Sequence, residues 1–578
     1  MPAVFCLLLA TLAAAPDAPR SEADRAFQQL ADQYMAGHLA FRPQVALELG
    51  LHDYDGQSVD YSAPALEKEL ARLKRFEQQF SKMPADKLSP AVEFDRQVLL
   101  AELRKMRFNF DGADCYRRNP LTYPRAMRID GYLIRDFAPL PERIKSIIAV
   151  EKELPDLFAA ARANLDKELP QLFVDTAIKV TDGAASFLER DLPLAIVDLQ
   201  DKSLRAELET ANKAAIAELR GYSAWLKTER LPKATDKFAL GRDAFARFLR
   251  EQELVNVSPE QLLEIGLREL KREQHVFTAT AQLIDPTRPA IEVFKAIQED
   301  HPTAERLIPD TAANLELIRK FVVDHKLASF PSEVRCKLAE TPPFRRAVSF
   351  ASMDAPGPYE SKAADAYYYV TPVDAAWTPS QKNEWLTAFN YYTTDIVSIH
   401  EAYPGHYQQH LHLNAAPISR VAKSFHSYAF VEGWAHYTEQ LLPDEGFPDG
   451  ADALKKARYR LAQSDEALLR LCRFCCSIQM HCNGMSVDEA TTFFEQNCYY
   501  QTTPARQEAM RGSYDPKYLN YTLGKWMILK LREDWRKQEG EKFSLGRFHD
   551  ELLRHGAPPV PLLRRLMLKD PKQWDAVL

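Results

Sequence analysis

The chain lacks an excess of positive charge, and beyond its first residues it lacks any apolar stretch long enough to span a membrane. Its 81 Asp and Glu residues outnumber its 74 Lys and Arg residues, which gives a formal net charge of −7. Because no basic run creates a cationic field, nucleic acid is not an expected partner. Because a membrane-spanning helix needs about 20 apolar residues, stable membrane insertion is not expected either.

Several motifs that would indicate other chemistries are also missing. There is no G-x-S-x-G nucleophile elbow and no G-x-x-x-x-G-K-[ST] phosphate loop. No repeat of fixed period and no low-complexity linker interrupts the chain, which argues against a solenoid. The sequence therefore excludes the commonest serine-hydrolase and nucleotide-binding signatures.

The composition is that of a large globular protein with an unusual beginning. The 578 residues are 46% hydrophobic, enough for a sizeable core. Residues 1–20 contain a short apolar run followed by small residues, which predicts a secretory signal peptide and an exported, periplasmic or secreted protein. No Lys or Arg precedes that run, an unusual feature for a signal peptide. A lipid anchor at Cys6 is the less favoured alternative.

The pattern along the chain predicts a mainly α protein. Residues 21–330 repeat apolar residues at helical spacing, as in SPEQLLEIGLRELKREQHVFTATAQLI, with short Pro- or Gly-bearing breaks. The residue pattern changes near residue 331, and the segments SEVRCKLAETP and DAYYYVTPV beyond it are typical of strands. Helical patterns resume to residue 578. We expect a helical region over 21–330, and a small antiparallel sheet with a helical metal-site region over 331–578.

The segment HEAYPGH resembles a zinc-binding helix that contains two extra residues. In H-E-x-x-H, two histidines one turn apart face one metal and the glutamate acts on a water. Here His400 and Glu401 are followed by His406 only after Pro404 and Gly405. On a regular helix the two histidines would point roughly 120° apart. Since proline breaks a helix and glycine permits unusual backbone, two residues looped out would bring the histidines back together.

A rival pairing lies in the same segment. His406 and His410 are four residues apart, the ordinary chelating separation, and His412 is close to them. This pairing leaves Glu401 far from a ligand and does not explain Pro-Gly. A set of histidines with no metal is the third interpretation.

A catalytic zinc needs a third protein ligand and an open position. Glu432, in the apolar segment YAFVEGWA, is the best candidate, since a carboxylate in such surroundings needs a partner. Glu439 and His436 are the alternatives further along the same helix. A buried Glu432 paired with Arg or His is the non-metal interpretation.

Half of the eight cysteines cluster in LLRLCRFCCSIQMHC, namely Cys472, Cys475, Cys476 and Cys482. C-x-x-C suggests a metal or redox site. Apolar residues interleave with the cysteines at helical spacing, however, so we favour small core residues in a buried helix. A disulfide formed after export is the remaining alternative.

Three motifs together carry a family resemblance. HEAYPGHYQQ, FVEGWAHYTEQL and YLNYTLGKWMILKLRED are similar, in this order, to the H-E-x-x-P-G-H, E-G-W-A-x-Y and Y-x-x-G-K pattern of the bacterial family known as domain of unknown function 885, DUF885. The likeness extends over nearly the whole chain. The family resembles, distantly, the helical zinc metallopeptidases of the thermostable carboxypeptidase and thimet oligopeptidase type.

The resemblance implies a large, elongated helical fold with a deep groove, and one zinc ion per chain. It implies His400, His406 and Glu432 as metal ligands and Glu401 as general base. Tyr521, Tyr514 and His481 are the further catalytic candidates. The implied substrate-binding residues are Tyr367, Tyr368 and Tyr369 of a strand continuing to Val370, with Arg511 or Lys525 for a substrate carboxylate.

One departure concerns His481. The family tends to carry an acidic residue before this histidine, whereas here that position is Ser477. If the carboxylate orients the imidazole, its loss puts the role of His481 in doubt.

Taken together, these observations predict zinc-dependent hydrolysis of peptide bonds in short peptides, of an exopeptidase or carboxypeptidase-like kind. The alternatives are a non-catalytic exported protein that binds peptides or metal, and a hydrolase of a non-peptide amide. Glu401→Gln should distinguish the enzyme from a binding protein, because it removes the base and leaves the ligands.

Overall fold

The computed structural model of the protein describes residues 21–346 and 349–578, and the predicted signal peptide lies outside these residues. The first half is helical, as predicted. Its helices are α1 (Glu22–Phe41), α2 (Pro43–Leu49), α3 (Ala63–Ser81), α4 (Pro90–Asp111), α5 (Cys115–Arg118), α6 (Asp130–Ile134), α7 (Leu140–Lys152), α8 (Leu154–Asn164), α9 (Gln171–Ser186), α10 (Leu192–Ala195), α11 (Lys202–Trp225), α12 (Arg242–Gln252), α13 (Pro259–Ile284), α14 (Ala290–Gln298) and α15 (Leu307–Asp324).

Helices return after a short β segment and continue almost to the C-terminus. They are α16 (Pro379–Ala388), α17 (Tyr391–Glu401), α18 (His406–Ala415), α19 (Arg420–Ser424), α20 (Tyr428–Asp444), α21 (Ala453–Cys482), α22 (Val487–Asn497), α23 (Thr502–Tyr514), α24 (Asn520–Glu539), α25 (Leu545–Leu553) and α26 (Val560–Met567). The mainly α prediction is confirmed. None of the helices in the described ranges is long and apolar enough to cross a membrane.

Local sequence signals explain many of the helix boundaries. Ser258 begins α13 with a capping box, in which its hydroxyl accepts from the N–H of Gln261 and the Gln261 side chain accepts from the Ser258 N–H. Thr378 does the same for α16 with Gln381. Each cap satisfies N–H groups that a helix start would otherwise leave without partners.

The β segment forms a mixed three-stranded sheet. Its strands are β1 (Lys337–Glu340), β2 (Ala351–Asp354) and β3 (Tyr367–Val370), in the spatial order β1-β3-β2. β1 is parallel to β3, and β2 is antiparallel to β3. This corrects the predicted antiparallel arrangement: β1 and β3 lie in the two predicted strand segments, but the chain reverses twice between them, so they run in the same direction. β2 was not recognised, because four residues carry little pattern.

The helices that carry or surround the candidate ligands share the largest hydrophobic cluster of the described residues. Ile399 of α17, Trp434 of α20, Phe474 of α21 and Leu523 of α24 are all fully buried in it. Such close packing fixes the relative positions of the four helices. The site therefore rests on a rigid part of the protein.

The cysteine-rich stretch belongs to this same core. Cys472, Cys475 and Cys476 are fully buried in α21 among apolar side chains, and Cys482 is partly buried. All seven cysteines of the described residues are free thiols. The structure thus places the cluster where the core interpretation put it.

Candidate metal centre

Three side chains from two separate motifs converge on one point. His400 lies in the last turn of α17, His406 begins α18 and Glu432 lies in the first half of α20. The Nε2 atoms of both histidines are 3.6 Å from Oε2 of Glu432, and one ligand atom from each residue lies within 4.8 Å of the others. Within the described ranges this is the one group of His, Cys, Asp or Glu residues with such a geometry.

The Pro-Gly insertion is what brings the two histidines together. The helix stops at Glu401 and restarts at His406. Across the break, the N–H of Gly405 donates to the carbonyl of Ile399, and the N–H of Gln408 donates to that of Ala402. Each bond reaches back six residues instead of the four of an α-helix, so two residues are accommodated without rotating His406 away from His400.

Glycine is required at position 405 by a close backbone approach. A Cβ atom there would lie 1.8 Å from the carbonyl oxygen of His400. The indole N–H of Trp434 donates to the carbonyl of Pro404 at 2.9 Å and so holds the break in place from α20. The Trp of the E-G-W motif therefore supports the H-E-x-x-P-G-H motif directly.

The glycines of the other two motifs form a helix crossing. A Cβ on Gly433 would meet Cα of Gly524 at 2.4 Å, and a Cβ on Gly524 would meet the carbonyl oxygen of Ala429 at 1.7 Å. Only glycine lets α20 and α24 approach this closely. The crossing brings Glu432, next to Gly433, close to Tyr521, one turn before Gly524.

A carboxylate supports the first histidine from the side away from Glu432. Nδ1 of His400 donates to Oε1 of Glu439 at 2.6 Å, and His436 Nδ1 donates to Oε2 of the same carboxylate at 2.9 Å. Arg470 also contacts Glu439. Glu439 and His436, the alternative ligands, thus lie behind His400, and Glu439 fixes the ring so that Nε2 faces the convergence point.

The histidines and carboxylates of the site interact as ion pairs. Burial disfavours a charged imidazole, but the carboxylates of Glu432 and Glu439 outweigh it and raise the pKa of His400 to about 9. Burial also works against ionisation of Glu432, yet the two imidazoles hold the pKa of this carboxyl well below its ordinary value. A metal cation would take the place of the proton between these groups.

The three residues fit a zinc ion. Oε2 of Glu432 is buried and has no hydrogen-bond partner among the described residues. A buried carboxylate oxygen without a partner is costly, and a cation held by two imidazoles would satisfy it. Two nitrogens and one oxygen are also a ligand set that catalytic zinc prefers, with a fourth position left for water or substrate.

The predicted base lies beside the edge of the sheet. Oε2 of Glu401 accepts a hydrogen bond from the N–H of Met353 in β2 at 2.8 Å. β2 is paired only with β3, so its other side faces away from the sheet. Because the N–H of Thr371 donates to the carbonyl of Phe350, Ala351 and Met353 are the residues whose backbone points outward.

The strand predicted to bind substrate is not free to do so. β3 is the central strand and both of its backbone edges are paired. Tyr368 is fully buried, with its hydroxyl 3.1 Å from that of Ser398, and Tyr367 and Tyr369 stack on each other at 5.5 Å. The outward edge next to Glu401 belongs to β2. Of the three tyrosines, Tyr368 connects the sheet to α17.

One tyrosine lies over the first histidine, and a second contacts that tyrosine. The ring of Tyr521 is nearly parallel to the imidazole of His400, with centroids 6.3 Å apart. Its hydroxyl lies 3.4 Å from that of Tyr428, a residue that sequence reasoning missed. Tyr428 is four residues before Glu432 on α20, a helical spacing that could have revealed it. Burial and the charge of Glu432 raise the pKa of both phenols, so both remain protonated donors at neutral pH.

Other predicted residues lie away from the three ligands. Both ring nitrogens of His481 are used by backbone groups, since Nδ1 accepts from the N–H of Leu240 and Nε2 donates to the carbonyl of Gly512. Ser477 donates to the carbonyl of Pro516 and not to His481. The structure thus gives His481 a structural setting with no nitrogen free for substrate.

The rival histidine pairing is not formed. His410 contacts the side chain of Asn414, and Nε2 of His412 donates to the carbonyl of Ser329. Neither belongs to the group that converges with Glu432. His406 therefore converges with His400 and Glu432 across the Pro-Gly break, and His410 is not part of that group.

Arg511 and Lys525, the two residues predicted to bind a substrate carboxylate, lie in different places. Arg511 and Tyr514 line one cavity together with Tyr428, which places them near the ligands. Lys525 is buried beside Glu439, and burial lowers its pKa to about 8. It is absent from the walls of the cavities that contain Glu432 or Tyr428.

Comparisons with known proteins identify a family and a fold. A family model described as a bacterial protein of unknown function, DUF885, matches residues 43–567. A solved structure from Shewanella oneidensis, described as a "putative lipoprotein of unknown function", is 23% identical with a TM-score of 0.78, covering 94% of this chain and 100% of its own. One from Colwellia psychrerythraea, described as a "putative lipoprotein", is 18% identical with a TM-score of 0.78, covering 94% and 98%. None of the curated proteins matches the chain.

Proposed function

This chain belongs to the bacterial family of unknown function DUF885, and we propose that it hydrolyses peptide bonds in short peptides with zinc, in a carboxypeptidase-like manner. The observation that carries the proposal is the convergence of His400, His406 and Glu432 within 4.8 Å, with Glu401 next to the first ligand. A ligand set of this kind beside a carboxylate base is the minimum that metal-assisted hydrolysis requires.

The residues around the ligands have the chemistry that the reaction needs. A bound zinc ion supplies Lewis-acid polarisation of the substrate carbonyl and makes water more acidic near neutral pH. Glu401 accepts the proton of the attacking water and passes it to the leaving amine. The N–H of Met353 holds Oε2 of Glu401, which leaves Oε1 for the water. The hydroxyls of Tyr521 and Tyr428 donate to the oxyanion that develops on the carbonyl oxygen.

The outward edge of β2 supports a peptide as the substrate. An extended chain can pair with an unpaired strand edge through its backbone, whatever its side chains are. A cavity of about 310 Å³, which we call the edge cavity, joins this edge to the ligands; among its lining residues are Met353, His406 and Glu432. A second cavity, of about 510 Å³, lies on the far side of His426 and Phe425, which line both. Spaces of this size favour short peptides over folded proteins.

The site of action that we propose is outside the cytoplasm. The apolar run in residues 1–20 has the pattern of a signal peptide, and two solved relatives of the same fold are described as putative lipoproteins. Secretion or attachment at Cys6 would both expose the enzyme to extracytoplasmic peptides. Fractionation of cells that express the full chain would show in which compartment the protein is found.

The deciding experiment combines metal content with peptide hydrolysis. We expect the purified wild type to hold about one zinc ion per chain and to release C-terminal residues from a mixture of short peptides. Glu401→Gln should keep the metal and lose turnover, and Glu432→Gln should lose both. Glu445→Gln, an exposed change just beyond α20, should alter neither. A wild type with neither metal nor cleavage would overturn the proposal in favour of a binding protein.

A further inference from the structure

A third cavity, next to Tyr428, has a strongly cationic wall. It has a volume of about 420 Å³, and we call it the cationic cavity. Its lining residues are Arg125, Tyr428, Arg511, Tyr514, Asp515 and Lys517. Three of the six are cations and one is a carboxylate, which leaves two positive charges in excess.

Two of the three cations, Arg125 and Lys517, form no direct ion pair with a carboxylate of the described residues, although Asp515 and Glu253 attract Lys517 from a greater distance. Asp515 pairs with Arg511, with Oδ2 3.1 Å from Nε. The guanidinium of Arg125 lies 5.6 Å from the centre of the Tyr514 ring and has no carboxylate partner among the described residues. The ammonium of Lys517 likewise forms no hydrogen bond or ion pair within the described ranges, although the residue is only partly exposed. Because three cations face a single carboxylate in this wall, an anionic ligand would be stabilised here.

The cationic cavity is next to the reaction site. Tyr428 forms part of its wall, and its hydroxyl contacts that of Tyr521, whose ring lies over His400. Tyr428 also stands one turn before Glu432 on α20. An anion bound in this cavity would therefore approach the three candidate metal ligands from the side of the two tyrosines. The edge cavity approaches the same residues from the side of Met353 and His406.

The two walls come from distant parts of the chain. Arg125 lies in the N-terminal half, between α5 and α6, and the other residues come from α20, α23 and the turn after α23. No single motif contains the set, which is why the sequence suggested only Arg511 and Tyr514 of these six residues. The juxtaposition exists only in the folded protein.

We propose that Arg125, Arg511 and Lys517 form a subsite for the C-terminal carboxylate of a short peptide, so that the substrates are peptides with a free C-terminus. This inference rests on the proposed peptidase function. The carboxylate would replace the missing counterion, and the chain would extend from it past Tyr428 toward the metal ligands and the edge of β2. The two tyrosines would then lie at the bond to be cleaved.

Binding to the zinc-loaded Glu401→Gln protein tests the subsite without turnover. Calorimetry would compare three peptides: Ala-Ala-Leu with a free C-terminus, its C-terminal amide, and the C-terminal amide of Ala-Ala-Glu. We expect the free acid to bind at least about tenfold more tightly than its amide, since hydrogen bonds to charged groups contribute on this scale. The glutamate amide should bind like the leucine amide.

Variants in the same background identify the residues responsible. Arg125→Gln and Lys517→Met should each remove most of the preference for the free acid while changing the affinity of the amide little. Arg125 is exposed, so its replacement should not disturb folding. Arg272→Gln, which removes an exposed cation of α13, should keep the preference.

The outcomes separate the subsite from the peptidase function. Equal affinity for acid and amide, or a preference kept in both variants, would overturn the subsite. Tight binding of the glutamate amide alone would overturn the C-terminal assignment in favour of a side-chain carboxylate. If the preference is present and lost in the variants while wild type cleaves no peptide, the subsite stands and the peptidase proposal fails. If the wild type cleaves the free acid and the amide equally well, the peptidase proposal stands and the subsite fails.

Discussion

The Nδ1 atom of His400 lies 2.6 Å from Oε1 of Glu439, and this bond fixes the direction in which the opposite nitrogen points. Glu439 is 1% exposed and also accepts from His436, so the carboxylate is held on two sides. Groups of this kind orient a metal ligand and raise its basicity. The orientation of His400 therefore depends on a residue outside the group of three candidate ligands.

Replacing Glu439 should weaken metal binding without abolishing it. Glu439→Gln keeps the size of the side chain but loses the negative charge behind the imidazole, and such changes cost about 10- to 100-fold in metal affinity. Competition with a chelator would measure the change. Asp444→Asn removes an exposed carboxylate from the same helix and should leave the affinity unchanged. If Glu439→Gln loses metal as completely as Glu432→Gln, Glu439 is itself a ligand.

Replacing Tyr521 or Tyr428 should lower turnover without changing the metal content of the protein. Tyr521→Phe removes a hydroxyl that we place at the developing oxyanion, and loss of one such donor lowers kcat by about 10²- to 10³-fold. Tyr428→Phe should have a smaller effect, because Tyr521 stays in place over His400. Steady-state kinetics and metal analysis would be done on both. An effect confined to KM would show that the phenols bind substrate only in its ground state.

The crossing of α20 and α24 should not tolerate a methyl group. In Gly524→Ala the new Cβ would lie 1.7 Å from the carbonyl of Ala429, so the helices must separate. We expect a loss of about 1–3 kcal/mol in stability, seen as a lower Tm, together with weaker zinc binding. Gly183→Ala in α9 is the matched control, because nothing lies within 4 Å of its Cβ. That change should be neutral or stabilise by up to about 1 kcal/mol. Equal Tm values for the two variants would contradict the close approach of α20 and α24 at Gly524.

A buried carboxyl far from the site predicts a pH-dependent stability. Glu151 of α7 is 1% exposed, both of its carboxylate oxygens are without hydrogen-bond partners, and burial raises its pKa to about 8. Since the folded-state pKa lies above the unfolded one, the wild type loses stability as the pH rises from about 4.5 to 8. Glu151→Gln carries no charge to bury.

The gain from Glu151→Gln should therefore grow over that pH window. We expect little difference in Tm near pH 4.5 and a higher Tm for the variant at pH 8, from a gain of about 2–4 kcal/mol. Calorimetry at both pH values would measure it. Glu153→Gln makes the same charge change at an exposed position two residues away and should show no such trend. A gain that is equal at both pH values would have another origin than ionisation.

Residue patterns predicted the helices well because their information is local. The apolar periodicity of α13 and α21, and the caps at Ser258 and Thr378, depend on residues within one or two turns. The convergence of His400 and His406 could also be predicted, because Pro404 and Gly405 have backbone preferences strong enough to explain the long spacing. The pairing of β1 with β3 could not, since it depends on the path of the chain between them.

The sequence by itself determined the helices, the Pro-Gly break and the three candidate ligands, because propensity, capping and motif spacing act over a few residues. Only the tertiary structure decided that Glu439 supports His400, that β2 and not β3 presents its edge beside Glu401, and that Tyr428 joins Tyr521. It also brought Arg125 to Arg511 and Lys517 across the fold. Such contacts join residues far apart in the chain, and the packing that selects them is a property of the whole core.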